Sequence, residues 1–213
     1  MMTIQTFTFN ALQENTYVVF DKTKEAIIID PGCYDADERK ELKEFVASNK
    51  LKPVRLLNTH CHVDHVLGNA FVAHEYKLEL ETSETEEAQL RSVKLYAPLY
   101  GFMGYQECEV EKYLKEGDKV TFGQSSLSVL FVPGHSPGHL AFLNLAQKIC
   151  IAGDVLFRGS VGRADLPGGN FTQLEKSIKT KLYTLPDDMQ IFPGHGPTTT
   201  IGFEKKRNPY VRG

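Results

Sequence analysis

The chain opens on strand-like alternation. Residues 3–9, TIQTFTF, set threonines and apolar residues around a period of two, and NTYVVF (15–20) and AIIID (26–30) follow across turn-like residues. Asp30-Pro31-Gly32 ends the third run in a turn. From Asp35 to Ser48 the period lengthens: Leu42, Phe45 and Val46 share one helical face among charges. Pro53 to Leu57 reads as a buried strand that runs directly into THCHVDH (59–65). YKLELET (76–82) alternates again. SETEEAQLRSVKLY (83–96) predicts a helix with Ser83 as N-cap and its glutamates on a solvated face. LYAPLYGFMGYQ, broken by Pro98 and glycines, suits either core packing or a subunit contact, or else a lid. After Gly117, KVTF, LSVLFV (127–132), LAFLNL (140–145) and KICIAG (148–153) predict strands, followed by a helix over 171–184 and a short strand MQIF (189–192). This order predicts two β-layers with helices outside, built from two similar halves. With no repeat or linker, one domain over 1–213 is expected, carrying a variable, partly helical insert at about 76–115.

Composition changes this picture by exclusion. A net charge of −3 and a pI near 6.2 argue against nucleic acid as the main partner. No apolar run reaches the roughly 18–20 residues of a membrane-spanning helix, and the first residues lack a signal-peptide pattern. Cys33, Cys61, Cys108 and Cys150 are scattered without a CxxC pair, as expected in a reducing cytoplasm.

The candidate chemistry lies at the predicted strand ends. Three of the seven histidines fall within THCHVDH. His135 follows LSVLFV, Asp154 follows KICIAG, and His195 follows MQIF, each in a glycine-containing turn. Residues two apart on an extended stretch face the same way, so His60 and His62 suit one ion, while Asp64 and His65 suit a second. Seven nitrogen and oxygen donors exceed the roughly four of one zinc. Two ions account for them: His60, His62 and His135 at the first, Asp64, His65 and His195 at the second, and Asp154 between. A hydroxide bridging the two would be the nucleophile. His74 fits no ligand role and is expected on a helix surface. His139 serves either to orient the metal turn or as simple structure. Cys61 points away from the histidines, with a thiol that a cationic site would activate.

THCHVDH, then PGHSPGH, AGD and PGHG in that order, resembles the metallo-β-lactamase superfamily over nearly the whole chain. That resemblance implies an αββα sandwich of two mixed β-sheets with helices on the outer faces. Within the superfamily, LFRGSVGRADLPGGN (156–170) and TTIGFEKKRNPY look like the short bacterial forms of glyoxalase II, the hydroxyacylglutathione hydrolases. The resemblance also makes Asp30 in IIDPG an aspartate placed behind the metal ligands. Classical glyoxalase II carries a further C-terminal helical domain with glutathione contacts; this chain stops eighteen residues after His195, so those contacts are not carried over. FRGSVGRADL also resembles the persulfide dioxygenases, which makes Arg163 the candidate substrate contact, or else one half of a local ion pair with Asp165.

The expected activity is hydrolysis of a small acyl-thioester, glutathione-linked or otherwise, with two divalent ions as cofactors. Zinc leads, with iron or manganese open to the same donors. Asp64 would hold a hydrogen bond from the hydroxide while ligating the second ion. The alternatives are a mononuclear-iron persulfide dioxygenase and a lactonase or β-lactamase-type hydrolase of the same fold.

Overall fold

Phe7 and Phe9 turn inward on the first strand while Thr6 and Thr8 do not, as the alternation predicts. The computed structural model describes residues 1–213, and they form two compact units: 1–114 with 121–126, and 115–120 with 127–213.

In the first unit, β1 (Thr3–Phe9), β2 (Glu14–Phe20) and β3 (Glu25–Ile29) form an antiparallel meander, β2 pairing with both of the others. Helix α1 (Ala36–Ser48) follows, and β4 (Lys52–Leu57) returns parallel to β3. The helix begins where the sequence says: the Asp35 carboxylate accepts the N–H of Asp37 and Glu38, and Glu38 reaches back to the Asp35 N–H, a capping box. Leu42 and Val46 face the core. Two short helices come next, α2 (Val63–Val66) and α3 (Asn69–Tyr76), then β5 (Leu80–Thr82), α4 (Glu87–Tyr96) and β6 (Val110–Tyr113). The strand order is β1-β2-β3-β4-β5-β6, the last four strands parallel.

Three expectations change here. The strand at 76–82 shortens because α3 holds residues up to Tyr76. Ser83 makes no side-chain cap; a 3-10 turn over Glu84–Glu86 intervenes before α4. The 76–115 stretch contains β5 and β6, two of the six strands of this sheet. Its glutamates are not all solvated: Glu81 is buried in a bidentate pair with Arg55, and Glu86 is wholly buried.

The second sheet contains β7 (Lys119–Phe122), β8 (Ser125–Phe131), β9 (Leu140–Asn144) and β10 (Ile149–Gly153). A small hairpin, β11 (Leu156–Phe157) and β12 (Ser160–Val161), precedes α5 (Phe171–Ser177), which continues as a wider π turn over Ile178–Leu182. Then come β13 (Gln190–Pro193), β14 (Thr199–Thr200) and α6 (Ile201–Arg207). The order is β14-β13-β10-β9-β8-β7, with β10 and β13 parallel. Val132, Ala152, Leu174, Ile178 and Ile191 share its buried cluster. Two mixed sheets with helices are the elements of the expected class. No helix is long and apolar enough to cross a membrane.

Candidate metal centre

In the first unit the site residues lie where β3 and β4 end. His60 is fully buried just past β4, and His62 is the N-cap residue of α2, whose only turn carries Asp64 and His65. The rings of His60 and His62 lie 4.8 Å apart at 90°, and those of His60 and His65 4.2 Å apart. His65 Nε2 is 3.7 Å from Asp64 Oδ2.

Asp30 organises these side chains. Its backbone takes φ +49°, a left-handed conformation that aspartate tolerates better than most residues, at a cost of order 1–3 kcal/mol. Oδ1 accepts the Thr59 N–H at 2.6 Å, and Oδ2 accepts the Thr59 hydroxyl at 2.6 Å and His65 Nδ1–H at 3.2 Å. Thr59 Oγ1 in turn lies 3.0 Å from His60 Nδ1. One carboxylate therefore occupies the Nδ1 side of two imidazoles, directly and through Thr59. Engagement at Nδ1 fixes the tautomer in which Nε2 is the ligating atom. Asn58 ties the same loop to the His65 carbonyl and to Asn69, and Glu86 accepts the Cys61 N–H at 2.8 Å. The Cys61 thiol is wholly buried, and burial, with Glu86 and Asp30 adding to it, pushes it well above its ordinary value. The reactive thiol considered from sequence is thus corrected to an inert one.

In the second unit His135, Asp154 and His195 leave the ends of β8, β10 and β13. Asp154 Oδ2 stands 3.5 Å from His135 Nε2 and 3.5 Å from His195 Nε2. Ligands about 2.0–2.1 Å from a tetrahedral ion are separated by about 3.3–3.4 Å, so this spacing fits shared coordination. Nδ1–H of His135 donates to the Arg163 carbonyl at 2.7 Å, leaving Nε2 toward Asp154. His139, undecided from sequence, orients the turn: Nδ1–H donates to the Leu140 carbonyl, and Nε2 accepts the Asp154 N–H at 3.1 Å. Gly162 permits the close approach, since a Cβ there would lie 1.8 Å from the Asp154 carbonyl oxygen. Gly134, at φ +139°, likewise lets the His135 turn pack under Leu174 of α5.

The donors fit divalent metal ions: His60, His65 and His135 have their Nδ1 engaged, and carboxylates lie beside the imidazoles. Of the other residues singled out, His74 lies exposed on α3. The exposed Arg163 guanidinium forms a bidentate pair with Asp165, 2.7 and 2.9 Å long, whose hydrogen bonds hold the Asp165 carboxyl down at about 2. Sequence reasoning missed Asn10, Glu14, Thr16, Asn58, Thr59 and Glu86. None of the six carries a local signal: a glutamate at the head of the strand ENTYVVF is ordinary in sequence.

The chain belongs to the metallo-beta-lactamase superfamily, whose family model matches residues 9–195. Hydroxyacylglutathione hydrolase GloC of Haemophilus influenzae is 34% identical over 212 residues, 99% of this chain and 98% of that protein. Among solved structures, BLEG-1 B3 metallo-beta-lactamase superposes with a TM-score of 0.86 at 31% identity, covering 99% of this chain and 100% of that one. TTHA1623, solved in a di-iron-bound form, also gives 0.86, at 36% identity over 97% of this chain and 100% of that one. The expected likeness to short glyoxalase II-like hydrolases is borne out. Membership supports a metal-dependent hydrolase whose cofactors are divalent ions.

Proposed function

We propose that the chain hydrolyses acyl-thioesters, glutathione-linked ones first, with two divalent ions as cofactors. His60, His62 and His135 would hold one ion and Asp64, His65 and His195 the other, with Asp154 shared. The observation that carries the proposal is Asp154 Oδ2 standing 3.5 Å from Nε2 of both His135 and His195, within reach of one histidine assigned to each ion. GloC, similar over its full length, supports the substrate class.

Bound ions would supply an activated water and Lewis acidity toward the carbonyl. Zinc suits the donor set, and iron and manganese share its nitrogen and carboxylate preference. Asp64 would accept a hydrogen bond from the attacking water and aim it at the thioester carbon. The C–S bond then breaks, and the thiolate, a good leaving group, departs without a strong general acid. Arg163 would take a substrate carboxylate in exchange for Asp165. The four thiols are free, as suits the cytoplasm proposed for it.

The test is metal analysis of protein purified without added metal, paired with a thioester and persulfide screen. Two ions per chain and turnover of acyl-glutathione support the reading. Fully loaded protein that leaves every acyl-thioester intact rejects it. A single iron with oxygen consumed alongside a persulfide selects the dioxygenase instead.

A further inference from the structure

We propose that Glu14 is a positioning residue for His65, a second carboxyl group which with Asp30 holds the imidazole by its Nδ1 face and presents Nε2 beside Asp64. This rests on the reading of His65 as a ligand of the second ion.

Glu14 is the first residue of β2 and is completely buried. A buried carboxyl group costs several kcal/mol unless its oxygens are matched. Oε2 accepts the Thr16 hydroxyl at 2.9 Å. Oε1 accepts no hydrogen bond and faces His65 Nδ1 at 3.8 Å. Glu14 Oε1 and Asp30 Oδ2 thus stand 3.8 and 3.2 Å from the same imidazole nitrogen, Nδ1 of His65.

The surrounding backbone is built to admit this carboxyl. A Cβ on Gly32 would lie 2.1 Å from Glu14 Oε2 and 2.7 Å from the Asp64 carbonyl oxygen, so a bare residue is needed there. The Thr16 hydroxyl that holds Glu14 also lies 2.9 Å from the Asp30 carbonyl and accepts the Gly32 N–H. Asn10, across the β1–β2 turn, donates to the carbonyls of Gly32 and Asp64 at 3.0 and 3.1 Å. The end of this hairpin is therefore a support for the loops bearing Asp30, Asp64 and His65. Asp30 already accepts from Thr59 at both oxygens, and Glu14 Oε1 stands 3.8 Å from the ring nitrogen that Asp30 shares.

Stepwise metal affinities of wild type, Glu14→Gln and Glu14→Leu, measured by chelator competition and elemental analysis, test this. Glu14→Gln keeps the shape and replaces one oxygen by a donor; Glu14→Leu keeps bulk without any acceptor. Thermal unfolding of the metal-free proteins reports the fold separately. The expected result is a second-ion affinity lower by about 10–100-fold with the first ion unchanged. Folded Gln and Leu variants that bind both ions as wild type does overturn the role of Glu14 alone, as does an equal loss at both ions. A wild type that takes up one ion, or a His65→Ala protein that keeps two, overturns the dinuclear reading and this inference with it.

Discussion

The backbone N–H of Asp154 donates to Nε2 of His139 at 3.1 Å, so a histidine with no metal of its own sets the position of the acid between two others. Replacing it by phenylalanine leaves a buried N–H without its acceptor. The expected cost is about 1–3 kcal/mol in urea unfolding, together with a lowered metal content by elemental analysis. A His139→Phe protein of wild-type stability and full metal content would contradict the assignment.

Gly162 is predicted to be intolerant of a single methyl group. In Gly162→Ala the new Cβ meets the Asp154 carbonyl oxygen and His135 Nδ1 together. Displacement of either by a large fraction of an ångström should lower turnover by about 100-fold while the protein remains folded by circular dichroism.

Arg163 and Asp165 separate substrate binding from structure. Both side chains are exposed, so neither substitution should alter folding. Asp165, held down at about 2 by Arg163, stays ionised and paired across any ordinary assay pH. If Arg163 binds a substrate carboxylate, Arg163→Ala raises KM for a glutathione thioester with kcat nearly constant, and Asp165→Asn lowers KM. An unchanged KM in both would assign the pair to bracing its loop.

Acid stability should report Asp21. Burial alone would raise this carboxyl, but hydrogen bonds from Thr23, Gln124 and Ser125 outweigh it and hold it at about 2. Its folded value is depressed, so its stabilisation is complete above its ordinary value near 3.8 and disappears as pH falls toward 2. The stability difference between wild type and Asp21→Asn should be constant above about pH 4 and shrink below it, as measured by denaturant titration at each pH.

What the sequence by itself determined was local: strand period, helix caps and the placement of donors at strand ends. Alternation in TIQTFTF and the Asp35–Glu38 capping box depend on residues a few positions apart, and both appear as read. THCHVDH likewise announced metal chemistry, because that density of histidine has no ordinary use. The tertiary structure decided everything that depends on residues distant along the chain. β6, which no local alternation marks, forms by pairing with β5. Glu86, expected in water, holds the Cys61 N–H from 25 residues away. His139 was ambiguous until Asp154, fifteen residues on, was placed against it. Glu14 drew no notice because a glutamate at a strand start is ordinary in sequence. Its burial behind His65 follows from β2 lying beside β3, whose end carries Asp30, and that pairing exists only in the folded sheet.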